Sequence, residues 1–202
     1  MINLQKGQKI SLTKESSGLT NVLVGLGWDK VQKPAKKMFS LFSKKPEDFD
    51  LDASVLLLHQ GDKLTDIKKD VVYFGNKTHF SGAVVHRGDN LTGEGKGDDE
   101  RITVNLKSLP TEYQKLVFMV NIYKANERNQ NFGMVDNAFI RIVDSSTNKE
   151  LCRYSISNDV NYSDKTAMIF GELYRHNDEW KFSAIGNGLN TGTISEVANI
   201  YR

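Results

Sequence analysis

Residues 47–58 read EDFDLDASVLLL. In the first half Asp48, Asp50, Asp52 and Ser54 alternate with Phe49, Leu51, Ala53 and Val55. That is the period of an extended chain with one face in a core and one face polar. In the second half SVLLL is apolar without a break, as expected of a central strand covered on both sides. KLVFMV, beginning at Lys115, has the same character. Two such strands need a sheet around them and apolar cover on both faces.

Working outward, the same kind of segment recurs along the chain. KISLTK (9–14), NVLVGLGW (21–28), VVYFG (71–75), GAVVH (82–86), RITVNL (101–106), NAFIRIVD (137–144), ELCRYSI (150–156), TAMIFGELY (166–174) and WKFSAI (180–185) are short and rich in β-branched or aromatic residues. Gly, Asn, Asp or Ser separate them. The expected fold is mainly β, an antiparallel β-sandwich of about ten short strands with few short helices. LPTEYQ (109–114) is expected to open a short helix at Pro110. The tail TISEVANIYR (193–202) spaces Ile194, Val197, Ala198 and Tyr201 as a helix would.

The chain has 202 residues, 39% of them hydrophobic, and a net charge of +2. That suits one main domain, placed at 1–192 and followed by the tail 193–202. No apolar run is long enough to span a membrane, and the start MINLQKGQKISLTKE lacks the apolar core of a signal peptide, so a cytoplasmic protein is expected. The one cysteine, Cys152, reads as a packed thiol on a strand. Residues 30–46, KVQKPAKKMFSLFSKKP, look inserted: six lysines flank Met38, Phe39, Leu41 and Phe42. A solvated loop is favoured there, with a patch for an anionic membrane surface (Lys30–Lys45) or a protein partner as the alternative. Lysines without arginine do not point to nucleic acid.

The chemistry concentrates in GDNLTGEGKGDDE (88–100). Five carboxylates (Asp89, Glu94, Asp98, Asp99 and Glu100) face one lysine, Lys96, with Asn90 and Thr92 as neutral oxygen donors. Charges this dense repel one another unless a cation joins them. A hard divalent cation fits, and so many protein oxygens favour calcium, with magnesium left open. With Asp89 as the first position of an EF-hand loop, Glu100 falls on the last. However, Leu91 and Gly93 occupy ligand positions, Glu94 stands where the loop needs glycine, and the flanks read as strands. Zinc is disfavoured because His59, His79, His86 and His176 show no ligand spacing. Asp50 and Asp52 share one face of their strand, and Asp29 ends GLGWD (25–29), so three acidic segments are candidates to converge at one end of the sandwich.

Catalysis finds little in the sequence. No serine sits in a nucleophile elbow, and no glycine loop suits phosphate. Glu172, Arg175 and His176 read as anchors of a strand end near Trp180.

GLGWD (25–29), FDLDAS (49–54), HRGDNLTGEGKGDDE (86–100), NFGMVDNAFIRI (131–142) and FGELYRHNDEWKF (170–182) together resemble the TerD family of bacterial tellurite-resistance and stress-response proteins. The resemblance runs from about Ile2 to about Asn190. It implies a β-sandwich holding calcium, usually two ions, in its acidic loops. It also implies a non-enzymatic adaptor or sensor with protein partners in a stress-response complex. Carried over residue by residue, the ligand set is Asp29, Asp50, Asp52, Asp89, Asn90, Thr92, Glu94, Asp98, Asp99 and Glu100. A metal-dependent enzyme, or a lectin-like module binding through the ion, is the alternative.

Overall fold

The computed structural model describes residues 1–30, 49–88, 97–156, 162–191 and 193–202. The basic segment beyond Lys30, together with Asp89, Asn90, Thr92 and Glu94, lies outside the described residues.

Among the described residues twelve strands form two six-stranded sheets packed face to face. The first contains β1 (Ile2–Leu4), β3 (Asn21–Lys30), β6 (Val84–His86), β7 (Glu100–Asn105), β9 (Val135–Asp144) and β10 (Lys149–Ser155), in the spatial order β1-β10-β9-β3-β7-β6. The second contains β2 (Lys9–Ser11), β4 (Leu51–Leu58), β5 (Val71–Val72), β8 (Lys115–Ile122), β11 (Ala167–His176) and β12 (Glu179–Leu189), in the order β2-β12-β11-β8-β4-β5. All pairings are antiparallel except β1 with β10, which is parallel. Strand β1 was not among the expected strands.

The core lies between the sheets. Val22, Val24 and Leu26 of β3 and Ile140 and Ile142 of β9 meet Ala53, Val55 and Leu57 of β4 and Phe118, Phe170 and Phe182. Every residue of β4 is buried, and the period of two sorts them. Leu51, Ala53, Val55 and Leu57 point into the sandwich, while Leu56 and Leu58 point out to a second apolar cluster with Val117, Met119, Ile169, Val197 and Ala198. The unbroken apolar run thus reflects cover on both faces. Each fully buried leucine contributes about 2 kcal/mol.

The outer cover comes from the tail. Helix α4 (Ile194–Asn199) lays Val197 and Ala198 on the sheet. It is held by a capping box, with the Thr193 hydroxyl accepting from Glu196 N and the Glu196 carboxylate accepting from Thr193 N. Beyond the helix, Tyr201 O accepts from Leu64 N at 2.6 Å.

Among the described residues there are three other α-helices, of four residues each: α1 (Leu12–Glu15), α2 (Ile67–Asp70) and α3 (Ala125–Arg128). Helix α1 interrupts the expected strand KISLTK: Leu12 is buried, and the Ser11 hydroxyl caps Lys14 N. The helix expected over LPTEYQ does not form. Tyr113 N closes one turn onto Pro110 O, after which Gln114 N bonds to Leu58 O and the chain enters β8. Two interactions pull it away from a helix. Tyr113 is buried with its hydroxyl on Asp70 Oδ1 at 2.8 Å, and Asn105 Oδ1 takes Lys107 N and Ser108 N.

Candidate functional site

The acidic stretch joins β6 to β7. His86 pairs with Ile102, and Arg87 N bonds to Arg101 O at 2.8 Å, so the stretch starts and returns at one place. Its returning end is pinned residue by residue. Gly97 enters at φ +138°, a backbone region that favours glycine. Asp99 N donates to Leu26 O, and Asp99 Oδ2 accepts from Trp28 N, both at 2.8 Å. The aspartate is thereby locked across the end of β3, one residue from Asp29.

Asp98 lies against Arg141 of β9. Arg141 Nε donates to Asp98 Oδ1 at 2.6 Å and a terminal nitrogen donates to Oδ2 at 2.8 Å. The other terminal nitrogen reaches Glu150 at 3.0 Å. Asp98 and Glu150 hold the guanidinium above its already high pKa, against the opposing effect of burial. The glycines of GLGWD make room for this arrangement. A Cβ on Gly25 would run into the Asp98 carboxylate, and one on Gly27 would meet the Phe139 ring and Gly97 O.

Glu100 closes the gap between the sheets. Its side chain is fully enclosed, and Oε2 accepts from Ala53 N at 2.8 Å. His86, equally enclosed, stands 3.1 Å from the same oxygen. Gly88 N donates to His86 Nδ1 at 3.3 Å, which leaves the proton on Nε2 to donate to Glu100.

The three acidic segments therefore meet through their backbones, β3 and β4 each giving an N–H to a carboxylate of the returning loop. Their side chains do not all point to one place. Asp29 is exposed at the end of β3, opposite Asp136 in register, and accepts from Asn137 Nδ2 at 2.8 Å. Asp50 lies 4.0 Å from Arg128. Asp52 stands opposite Asn121 and, two residues from Ser54 and four from Leu56, faces out from the second sheet, whereas Glu100 reaches the edge of β4 from within. Among the described residues no three His, Cys, Asp or Glu side chains are grouped to hold a metal.

Arg141 and His86 escaped the sequence reading. Arg141 is 43 residues from Asp98, and nothing local pairs them. His86 was set aside for want of ligand spacing, yet its adjacency to the acidic stretch was a usable signal. Elsewhere Arg175 stacks on Trp180 at 4.4 Å and donates to Leu109 O and Tyr113 O, as a strand anchor does. Cys152 is fully buried, and burial pushes its thiol up to about 12, so it is inert as a nucleophile.

A two-sheet sandwich with an acidic hairpin loop pinned across one end defines the class of protein. The TerD domain family matches residues 1–201, and the chain belongs to that family. It is 46% identical over 200 residues to Stress response protein SCP2 of Bacillus subtilis, covering 99% of this chain and 98% of that one. It is 44% identical to Tellurium resistance protein TerD of Serratia marcescens, covering 98% and 95% respectively. A solved homologue of telluride resistance protein (TerD) from Streptomyces coelicolor superposes with a TM-score of 0.64 at 20% identity, covering 92% of this chain and 99% of that chain. That last likeness concerns the fold alone.

Proposed function

We propose that this protein binds calcium in the hairpin loop 88–100 and acts in tellurium resistance and the general stress response as a non-enzymatic, calcium-dependent adaptor. The observation that supports this is the pinning of both ends of the acidic stretch at one point of the sandwich. Five carboxylates are thereby held in a short loop whose folding cost rises unless a cation offsets their repulsion.

The described carboxylates show how the work divides. Asp98 is committed to Arg141, and Glu100 is sealed between Ala53 N and His86. They anchor the loop. Asp89, Asn90, Thr92 and Glu94, all oxygen donors, are the principal ligands, with Asp99 and Asp29 as further donors from the anchored end of the loop and from β3. Calcium would supply charge neutralisation and order to the loop. The protein's residues set its position against β3 and β4, and the ordered surface is what a partner reads. The names of the relatives, resistance and stress proteins, support the stress-response part of the reading.

Calorimetry on chelator-stripped protein tests the reading. Calcium is expected to bind with heat and to raise the melting temperature. Asp89→Asn is expected to weaken binding by about tenfold or more, roughly 1.4 kcal/mol. Glu100→Gln is expected to lower stability in the presence and absence of calcium alike. No heat at millimolar calcium, or undiminished affinity in Asp89→Asn, sinks the proposal.

A further inference from the structure

Across the outer face of the first sheet the strand register lines up four arginines in one rung. Arg153 of β10 stands opposite Arg141 of β9, Arg141 opposite Gly25 of β3, and Gly25 opposite Arg101 of β7. Arg87 follows His86, which pairs with Ile102, and its N–H donates to Arg101 O at 2.8 Å, so Arg87 stands opposite Arg101. The chain neighbours Ile102, Ile140 and Cys152 lie in the core, so Arg101, Arg141 and Arg153 point outward. Arg87 Nε donates to Thr103 on the same face at 3.1 Å.

Like charges directly opposite one another destabilise a sheet. The rung holds two such pairs, and one of them shows the remedy. Glu150 joins Arg141 to Arg153, accepting from the first at 3.0 Å and from the second at 2.9 and 3.3 Å. Asp98 takes the remaining fork of Arg141. The other pair is Arg87 and Arg101. Both are exposed, and among the described residues neither has a carboxylate partner. Four guanidiniums against two carboxylates leave two positive charges, and these fall on Arg87 and Arg101.

The rest of the rung constrains what can answer them. Cα atoms of a hydrogen-bonded cross-strand pair are about 5.5 Å apart, so two guanidiniums can close on one carboxylate, as they do on Glu150. Asp98 and Glu150 interrupt the rung with negative charge, so it offers no continuous positive track to a nucleic-acid backbone. Separate carboxylates on an extended peptide suit it better.

We propose that Arg87 and Arg101 form a docking point for carboxylate side chains of an acidic segment in a partner protein. The proposal deepens the adaptor reading and rests on it, since calcium on Asp89 and Glu94 keeps those carboxylates from competing for the two arginines.

The test titrates a Glu-Ser repeat peptide into the full chain with saturating calcium, followed by amide chemical shifts and calorimetry. A Gln-Ser repeat of equal length and an oligothymidylate are the comparisons. The Glu-Ser peptide is expected to saturate below about 1 mM, to shift the amides of β6 and β7, and to bind at least about tenfold tighter than the Gln-Ser peptide. Arg87→Gln and Arg101→Gln, both at exposed positions, are each expected to weaken it about fivefold, and the double variant to abolish it, with calcium affinity unchanged. Equal binding of the two peptides, tighter binding of the oligothymidylate, or wild-type affinity in the double variant overturns the proposal. Calcium heat without peptide binding removes the docking point and leaves the calcium reading standing. Arginine-dependent peptide binding without calcium heat does the reverse.

Discussion

Arg141 grips Asp98 through two parallel hydrogen bonds, 2.6 and 2.8 Å long, and so ties β9 to the returning end of the acidic hairpin. The Asp98 side chain is only 4% exposed. Its charge is answered by a planar fork that a point-like ammonium cannot imitate. Arg141→Ala is expected to cost about 2 kcal/mol in urea unfolding, and Arg141→Lys to recover less than half of it. Full recovery by lysine would show that charge alone, without the fork, holds Asp98.

Gly25 is a space requirement of the same contact. Its φ is not in the left-handed region, so an alanine there suffers no backbone strain, and its Cβ would collide with the Asp98 carboxylate. Gly25→Ala is expected to destabilise by about 1–3 kcal/mol. Its effect should not add to that of Asp98→Asn, since both undo one contact. Additive losses in the double variant would place the glycine's role elsewhere.

Two buried groups make stability pH-dependent. Burial pushes the Asp70 carboxyl up, but hydrogen bonds from Asp66 N, Tyr113 and Thr65 outweigh it and hold the group below its ordinary 3.8. Its contribution is complete above that value and is lost as pH falls through the lower folded value. Tyr113→Phe removes the 2.8 Å hydroxyl bond. It is expected to cost about 1–2 kcal/mol at neutral pH and to move acid unfolding to higher pH.

His79 acts from the other side of Tyr113, its ring 5.0 Å away edge-on. Burial holds its imidazole below 6.5, against the pull of Asp70 and Glu112. The unfolded chain therefore takes up this proton first, so stability falls as pH drops below 6.5 and levels off below the folded value. His79→Phe is expected to flatten that decline between pH 7 and pH 5, measured by urea unfolding. An unchanged slope would assign it to other groups.

The capping box controls the outer cover of the second sheet. Thr193→Ala is expected to cost about 1 kcal/mol. Because α4 covers Leu56 and Leu58, the loss should appear as faster hydrogen exchange at Val197 and Ile200 than at β8. Uniform acceleration across the sheet would mean that the helix opens only with the whole domain.

Strands were the legible part of the fold. SVLLL lies wholly within β4, and NVLVGLGW, RITVNL, KLVFMV and NAFIRIVD each match a strand to within two residues at either end. The period of two and β-branched content are local signals, written in the residues that use them. Short elements were not legible. Helices α1, α2 and α3 have four residues each, too few for a helical period, and β1 exists because β10 offers it an edge. LPTEYQ showed helical chemistry at Pro110, and the buried bond from Tyr113 to Asp70 overrode it.

The acidic site divides along the same line. By itself the sequence determined that Gly88–Glu100 carries an excess of carboxylates between two strands, and that Asp52 and Leu51 point to opposite faces. Both follow from composition and a period of two. Only the tertiary structure decided that Asp98 belongs to Arg141, Asp99 to the Trp28 amide and Glu100 to Ala53 and His86. It also set Asp52 opposite Asn121 on the second sheet. A carboxylate has the same appetite for any donor. Which donor reaches it depends on the order and register of strands far apart in the chain, and no local pattern encodes that.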